Sequence, residues 1–525
     1  MNPILLRRRD MIRAMGLLGV GGAAGLAGCA SSGAGATDTA PVVSVTSGQL
    51  RGRRAGGVIS FKRVPYAANP YLPENRFLAP QPVVPWSGLR EADAYGPMPP
   101  QPSRAPGGGL AGAPDELTLN IWTAGTDGAR RPVMVWIPGG AFLRVDGSEA
   151  WYDGSAFARD GIVLVTLNYR VNVDGFMSVE GGVPNRAYLD QIAALQWVQR
   201  HIAAFGGDPG NVTLFGQSAG AQSVMALLGM PQSKGLFQRA IAQSPPIKYH
   251  QPADAQRVAR ATAELLKVAP TRAAMSGVPL PALIAAVEAM NNDLRDLAKW
   301  GAIGDQPPYL PVIDGVVLTQ PPLAALRAHA PPGLPLLIGC NDDESRLYLV
   351  PSGAIERIPE PAVAGFARRA GLAPEAVEAW RRQRPAATPG DVFAALSSDA
   401  VFRMPTLRYT ENRVRAGAPV WAYQFAWRSP AFGGKLGAAH VVDVPFVFDT
   451  LDSDGNAKTF TAGAGPRALA VSMHTSWVRF AKAGDPGWPP YNLATRPTMR
   501  FDTVSAVVND PGAADRELWS GITFE

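Results

Sequence analysis

Gly216-Gln217-Ser218-Ala219-Gly220 sets a serine between two glycines in the spacing G-x-S-x-G. A serine hydroxyl is a poor nucleophile at neutral pH. It attacks an acyl carbon only with a general base in hydrogen-bond reach and an acid that orients that base. The apolar run Asn211 to Phe215 before it reads as a strand, and Ala221 to Leu228 after it reads as a helix. Ser218 therefore falls on a sharp strand-to-helix turn that exposes its hydroxyl near a helix N-terminus. The flanking glycines suit a turn crowded by neighbouring backbone. With 56 glycines in the chain the pentapeptide alone recurs by chance, so the strand-before, helix-after setting gives it weight.

Five histidines are available as the base: His201, His250, His329, His440 and His474. In α/β-hydrolases, which use such an elbow, the order is serine, acid, histidine, and only His440 and His474 come late enough. His474 sits in the helical pattern Leu469 to Trp477, whereas His440 ends the small-residue loop Gly437-Ala438-Ala439. Loops carry reactive groups more often than helix faces, which favours His440. The acid candidates are Asp342, Asp343 and Glu344, just past the apolar run Leu336 to Cys340, at the carboxyl end of an expected strand. Spacing does not choose among them. Backbone N–H groups must hold the oxyanion. One comes from Ala219, and the others from the turn Pro138-Gly139-Gly140-Ala141-Phe142 after the run Val133 to Ile137.

The elements that must position these groups are short and apolar: Val133 to Ile137, Ile162 to Leu167, Val212 to Phe215, Ala240 to Ala242, Leu336 to Ile338 and Val420 to Phe425. Continuous apolar strands fit a sheet covered on both faces. A helix is expected from Tyr188 to about Ala204, stopped by Gly206-Gly207-Asp208-Pro209-Gly210, which turns the chain into the Ser218 strand. Strand–helix alternation predicts an α/β class with a large, mostly parallel central sheet. Ala253 to Trp300 and Ala354 to Gly390 read as helical insertions, either capping the site or serving as padding.

The 525 residues are 46% hydrophobic and 18% charged, which suits a globular protein with a large core. The net charge of +6 owes much to Arg7, Arg8, Arg9 and Arg13, so no nucleic-acid or membrane-surface patch is read from it. Arg8-Arg9-Asp10-Met11-Ile12-Arg13 has the arrangement of a twin-arginine export signal. Met15 to Ala27 is too short to span a bilayer comfortably. Leu26-Ala27-Gly28-Cys29 reads as a lipoprotein cleavage box with Cys29 as the acylated residue, the plainer alternative being an ordinary signal peptide. The expected division is an export signal over 1–28, a flexible tether over 29–41 and a single catalytic domain over 42–525. The expected location is the periplasm or a bacterial membrane, through the lipid anchor. Cys340, the other cysteine, reads as a buried strand residue. No zinc motif is present and no cofactor is expected.

Phe205 to Gly220 resembles the serine signature of the type-B carboxylesterase family, the α/β-hydrolases that include cholinesterases and para-nitrobenzyl esterases. The resemblance spans nearly the whole mature chain. It includes Phe61 to Ala67, Arg76-Phe77, Leu117 to Trp122, Asn168 to Val171, Asp190-Gln191 to Gln199 and Phe480 to Pro489. It implies hydrolysis of small-to-medium carboxylic esters by a Ser-His-Glu triad. Asn341-Asp342-Asp343-Glu344-Ser345 is similar to the family's N-x-D-E-G, which makes Glu344 the acid, with Ser345 in place of glycine. Gly437 to His440 is similar to the histidine motif, with Asp443 in place of a glutamate. Gly139-Gly140-Ala141 is similar to the oxyanion turn, which implies donors at Gly140, Ala141 and Ala219 and puts Pro138 where histidine or tyrosine is usual. Pro99 and Glu116 stand where relatives carry a disulfide, so the Gly/Pro-rich stretch Gln101 to Asp115 is expected to be mobile. A long-chain lipase and a non-catalytic binding relative are the alternative functions. Trp300, Tyr348 and Phe432 are pocket candidates, with core packing as the simpler role.

Overall fold

The computed structural model describes residues 40–524; the export signal and Cys29 lie outside the described residues. An 11-stranded sheet forms the centre of the molecule. In chain order its strands are β1 (Arg53–Ala55), β2 (Val58–Ala67), β3 (Leu117–Thr123), β4 (Arg131–Ile137), β5 (Val163–Leu167) and β6 (Gly207–Gln217). They continue as β7 (Arg239–Gln243), β8 (Leu336–Asn341), β9 (Val420–Phe425), β10 (Pro497–Phe501) and β11 (Ala506–Asn509). Across the sheet they run β11-β10-β9-β8-β7-β6-β4-β5-β3-β2-β1. From β10 through to β5 neighbours are parallel, and the strands outside that block are antiparallel.

Alternate side chains of one strand enter two separate cores, which explains the unbroken apolar runs. Val133, Val135 and Ile137 of β4 join one core, while Met134 and Trp136 join the other. Strands β5, β7 and β8 divide in the same way, with Leu164, Ile241 and Leu337 on the Trp136 side. A period-2 strand whose faces are both covered has little room for a polar residue without a partner.

The helix expected before the Ser218 strand is α1 (Arg186–His201), continued by a 3-10 turn over Ile202–Phe205. Gly206 ends it with φ 78°, and a Cβ there would come within 2.3 Å of the Gly125 carbonyl oxygen. Beyond Gly206 the structure departs from the expected turn. Gly207 to Gly210 already belong to β6, and the pairing with β4 shifts register between Gly207 and Val212. An irregularity of this kind lets turn-forming residues sit inside a strand. Helix α2 (Ala219–Leu228) follows β6 directly. The two insertions are helical, carrying α3 (Pro252–Leu266) and α4 (Leu280–Asp293), then α5 (Glu360–Arg369) and α6 (Pro374–Gln383). The last long helix is α7 (Arg467–Ala483).

The stretch expected to be mobile contains a short hairpin, Gln101–Pro102 paired with Leu110–Ala111. The Gln101 side chain accepts the Val145 N–H at 2.7 Å, and Glu288 of α4 accepts the Gly109 N–H at 3.2 Å. Polar contacts thus tie this stretch to the loop after β4 and to α4. Cys340 is buried in β8, and burial pushes its thiol pKa up.

Candidate active site

Ser218 stands between β6 and α2 with φ 58° and ψ −125°, a conformation that costs energy for any residue bearing a Cβ. The turn is that tight because α2 begins against the end of β4. A Cβ on Gly220 would lie 2.0 Å from the Ile137 carbonyl oxygen. The Ser218 N–H donates to the Gln243 carbonyl of β7 at 2.9 Å, which fixes the turn to the sheet. The hydroxyl makes no hydrogen bond among the described residues. It faces a cavity of about 400 Å³ also lined by Gly139, Gly140, Ala141, Tyr348 and His440.

His440 follows β9 in a loop whose N–H donates to the Glu344 carbonyl at 3.1 Å. Its Nδ1 contacts the Glu344 carboxylate at Oε2, both side chains being buried. The Glu344 Oε1 accepts the Ser244 hydroxyl at 2.5 Å and the Asn341 N–H at 2.7 Å. With Nδ1–H directed at a carboxylate, Nε2 is left as the acceptor, the tautomer a general base requires. The Gln217 side-chain nitrogen lies 3.0 Å from Nε2 and 3.4 Å from Nδ1. Two such distances put the amide against the face of the ring, off the in-plane lone pair of Nε2 that a hydroxyl donor would use. Catalytic hydrogen bonds commonly tighten only once substrate is bound. The Phe402 ring lies over the imidazole, with centroids 4.4 Å apart and planes at 35°.

The three acids that spacing left open go to different partners. Asp342 pairs with Arg500 at 2.8 Å, and Asp343 pairs with Arg428 at 2.8 Å. Glu344 alone reaches a histidine. His474 of α7 hydrogen-bonds the Val447 carbonyl at 2.8 Å, away from the cavity. The turn after β4 is held from behind, where the Tyr169 hydroxyl donates to the Pro138 carbonyl at 2.8 Å. The Gly140 carbonyl accepts the N–H groups of Leu143 and Arg144, both at 3.1 Å. The N–H groups of Gly140, Ala141 and Ala219 have no backbone partner among the described residues. Among the three aromatic candidates, Tyr348 lines the cavity, Trp300 is in the core and Phe432 is exposed. No cluster of side chains suited to a metal occurs among the described residues.

The carboxylesterase family profile matches residues 39–519. The chain belongs to the carboxylesterase family. It is 33% identical over 498 residues to the para-nitrobenzyl esterase of Bacillus subtilis (strain 168), covering 91% of this chain and 98% of that one. It is 34% identical to the phenmedipham hydrolase of Pseudarthrobacter oxydans, covering 90% and 96%. A crystal structure of a Geobacillus stearothermophilus carboxylesterase superposes with a TM-score of 0.80 at 36% identity, over 91% of this chain and all of that one. The fold is accordingly the α/β-hydrolase fold, and the protein is a carboxylic ester hydrolase.

Asp443, marked in the sequence only as replacing a glutamate, is a second buried acid whose charge interacts with Glu344. Asp443 accepts from Gln243 Nε2 at 2.8 Å and from Asn341 Nδ2 at 3.2 Å. Burial, with the Glu344 charge beside it, pushes its pKa up to about 6. An acid whose folded pKa lies above its unfolded value binds more protons when folded. Its contribution to stability is therefore full at low pH and is lost as pH rises from the ordinary carboxylate range through about 6. Asp443→Asn is expected to remove that slope, so urea titrations between pH 4 and pH 7 should give a flatter stability profile for the variant than for the parent. Parallel profiles would show that Asp443 ionises normally.

Proposed function

We propose that this esterase works through an acyl-enzyme, with Ser218 as nucleophile, His440 as general base and Glu344 as the acid that orients it. Ser218 Oγ attacks the ester carbonyl while His440 Nε2 takes its proton, and Glu344 stabilises the imidazolium. The N–H groups of Gly140, Ala141 and Ala219 receive the oxyanion. His440 then protonates the departing alcohol, and water repeats the sequence on the acyl group. The observation that carries this reading is the His440 Nδ1–Glu344 contact beside a cavity that also holds Ser218.

Small-to-medium esters fit best, because about 400 Å³ lies near the lower end of ligand-site volumes. A series of p-nitrophenyl esters from acetate to palmitate tests this. Turnover should peak among the short acyl chains and fall at least ~10-fold by palmitate, since each misplaced methylene costs on the order of 1 kcal/mol. Activity that rises with chain length would support the lipase alternative. We further propose that the chain is exported and anchored through Cys29, on the strength of the Leu26-Ala27-Gly28-Cys29 box. Cys29→Ser should move the protein from the membrane fraction to the soluble fraction. A parent already found in the soluble fraction would indicate an ordinary cleaved signal.

A further inference from the structure

Among the described residues, Arg104, Arg144, Asp146 and Glu149 are the charged side chains that line the cavity holding Ser218, besides His440. Three of them have partners. Arg104 Nη1 lies 3.4 Å from Glu149 Oε1, and Glu149 Oε2 accepts from Asn456 Nδ2 at 2.9 Å. Asp146 Oδ1 accepts both the N–H and the hydroxyl of Ser148, at 2.8 Å and 2.5 Å. Arg144 differs. It is 8% exposed, and its Nε donates to the Pro102 carbonyl at 2.9 Å. Among the described residues no other protein group hydrogen-bonds its guanidinium, and no carboxylate stands within ion-pair distance of it. Glu288 acts on it only through space and accepts the Gly109 N–H, while the like charge of Arg104 opposes it. Burial lowers the Arg144 pKa to about 10, which still leaves it charged at neutral pH.

A guanidinium on a cavity wall with no carboxylate beside it is poorly compensated, and an anion supplied by a ligand offsets that cost. Arg144 is also tied to the turn proposed to hold the oxyanion, through its own N–H to the Gly140 carbonyl at 3.1 Å. The Nε–Pro102 bond leaves both Nη nitrogens free for an end-on, two-bond grip on a carboxylate.

We propose that Arg144 is a specificity residue that selects esters carrying a carboxylate remote from the scissile bond, such as hemiesters of dicarboxylic acids. The assignment rests on the acyl-enzyme reading of Ser218 and names the substrate class of that same site. A neutral ester of equal length leaves the guanidinium unpaired in the cavity, whereas the hemiester pairs it.

Two matched pairs of substrates test the assignment. 4-Nitrophenyl hydrogen adipate and 4-nitrophenyl hexanoate differ only by a carboxylate in place of a methyl at the acyl end. 4-Acetoxybenzoate and phenyl acetate make the comparison on the alcohol side. The wild-type enzyme should favour the anionic member of at least one pair by ~10-fold or more in kcat/KM, expressed mainly in KM. Arg144→Met should collapse that ratio to within about threefold, and Arg144→Lys, which keeps the charge but not the fork, should retain part of it. Should Arg144→Met fail to fold, the wild type alone decides. Its hydrolysis of 4-nitrophenyl hexanoate should be competitively inhibited by free adipate more strongly than by hexanamide. Equal treatment of both members of both pairs, or a preference that survives Arg144→Met, overturns the assignment. A wild-type enzyme inactive on hexanoate and phenyl acetate as well would instead refute the acyl-enzyme reading.

Discussion

Ser218→Ala is expected to lower kcat/KM for p-nitrophenyl butyrate at least ~10³-fold, leaving only the residual rate that binding and oxyanion stabilisation supply. The substitution removes one oxygen and little else. Alanine carries the same Cβ as serine, so it bears the same strain at φ 58° and ψ −125°, and the Ser218 hydroxyl makes no protein hydrogen bond that folding would lose. The melting temperature should therefore stay within a few degrees of the parent's. Loss of activity without loss of stability separates a nucleophile from a structural serine. Incubation with an organophosphonate adds the covalent readout. The parent should gain one phosphonyl adduct on the peptide containing Ser218, and the variant should gain none. A variant that keeps most of its esterase activity, or an adduct on another residue, would move the nucleophile elsewhere.

Much of the frame that holds Ser218 is legible in the sequence, because strands buried on both faces write themselves as unbroken apolar runs. Val133 to Ile137, Ile162 to Leu167 and Val420 to Phe425 all lie in or overlap sheet strands. Gly207 to Gly210 was not legible as strand, since turn-forming residues there are absorbed by a register shift that only pairing with β4 imposes. The choice among the three candidate acids shows where local reading stops. Asp342, Asp343 and Glu344 are neighbours of similar chemistry, and arginines distant in sequence separate them. Arg500 and Arg428 claim the first two. Ser244, Asp443 and Phe402 act on Glu344 and His440 only through the fold, by convergence of chain segments far apart. A local clue to Arg144 did exist. It stands between Leu143 and Val145, four residues past Gly140, a charge set among apolar neighbours.

Glu344→Gln should cost on the order of 10³–10⁴-fold in kcat/KM, a loss of the size found when the acid of a serine triad becomes its amide. The reason lies in proton placement. The Glu344 carboxylate accepts the Nδ1 proton of His440, which keeps the Nε2 lone pair available. A glutamine held by the same Ser244 hydroxyl and Asn341 N–H would keep its oxygen toward them and turn its NH₂ toward Nδ1. Nδ1 would then have to accept, the proton would move to Nε2, and the base would face Ser218 already protonated. Glu344→Asp keeps the charge on a shorter side chain that cannot reach His440 and the Ser244–Asn341 pair together, so an intermediate loss of ~10–100-fold is expected. Both losses should fall mainly on kcat, because Glu344 acts on the imidazole and not on bound ester. A rate for Glu344→Gln within tenfold of the parent's would remove Glu344 from the mechanism. The buried carboxylate of Asp443 would then be the next group to test, since Asn341 already links it to the same loop.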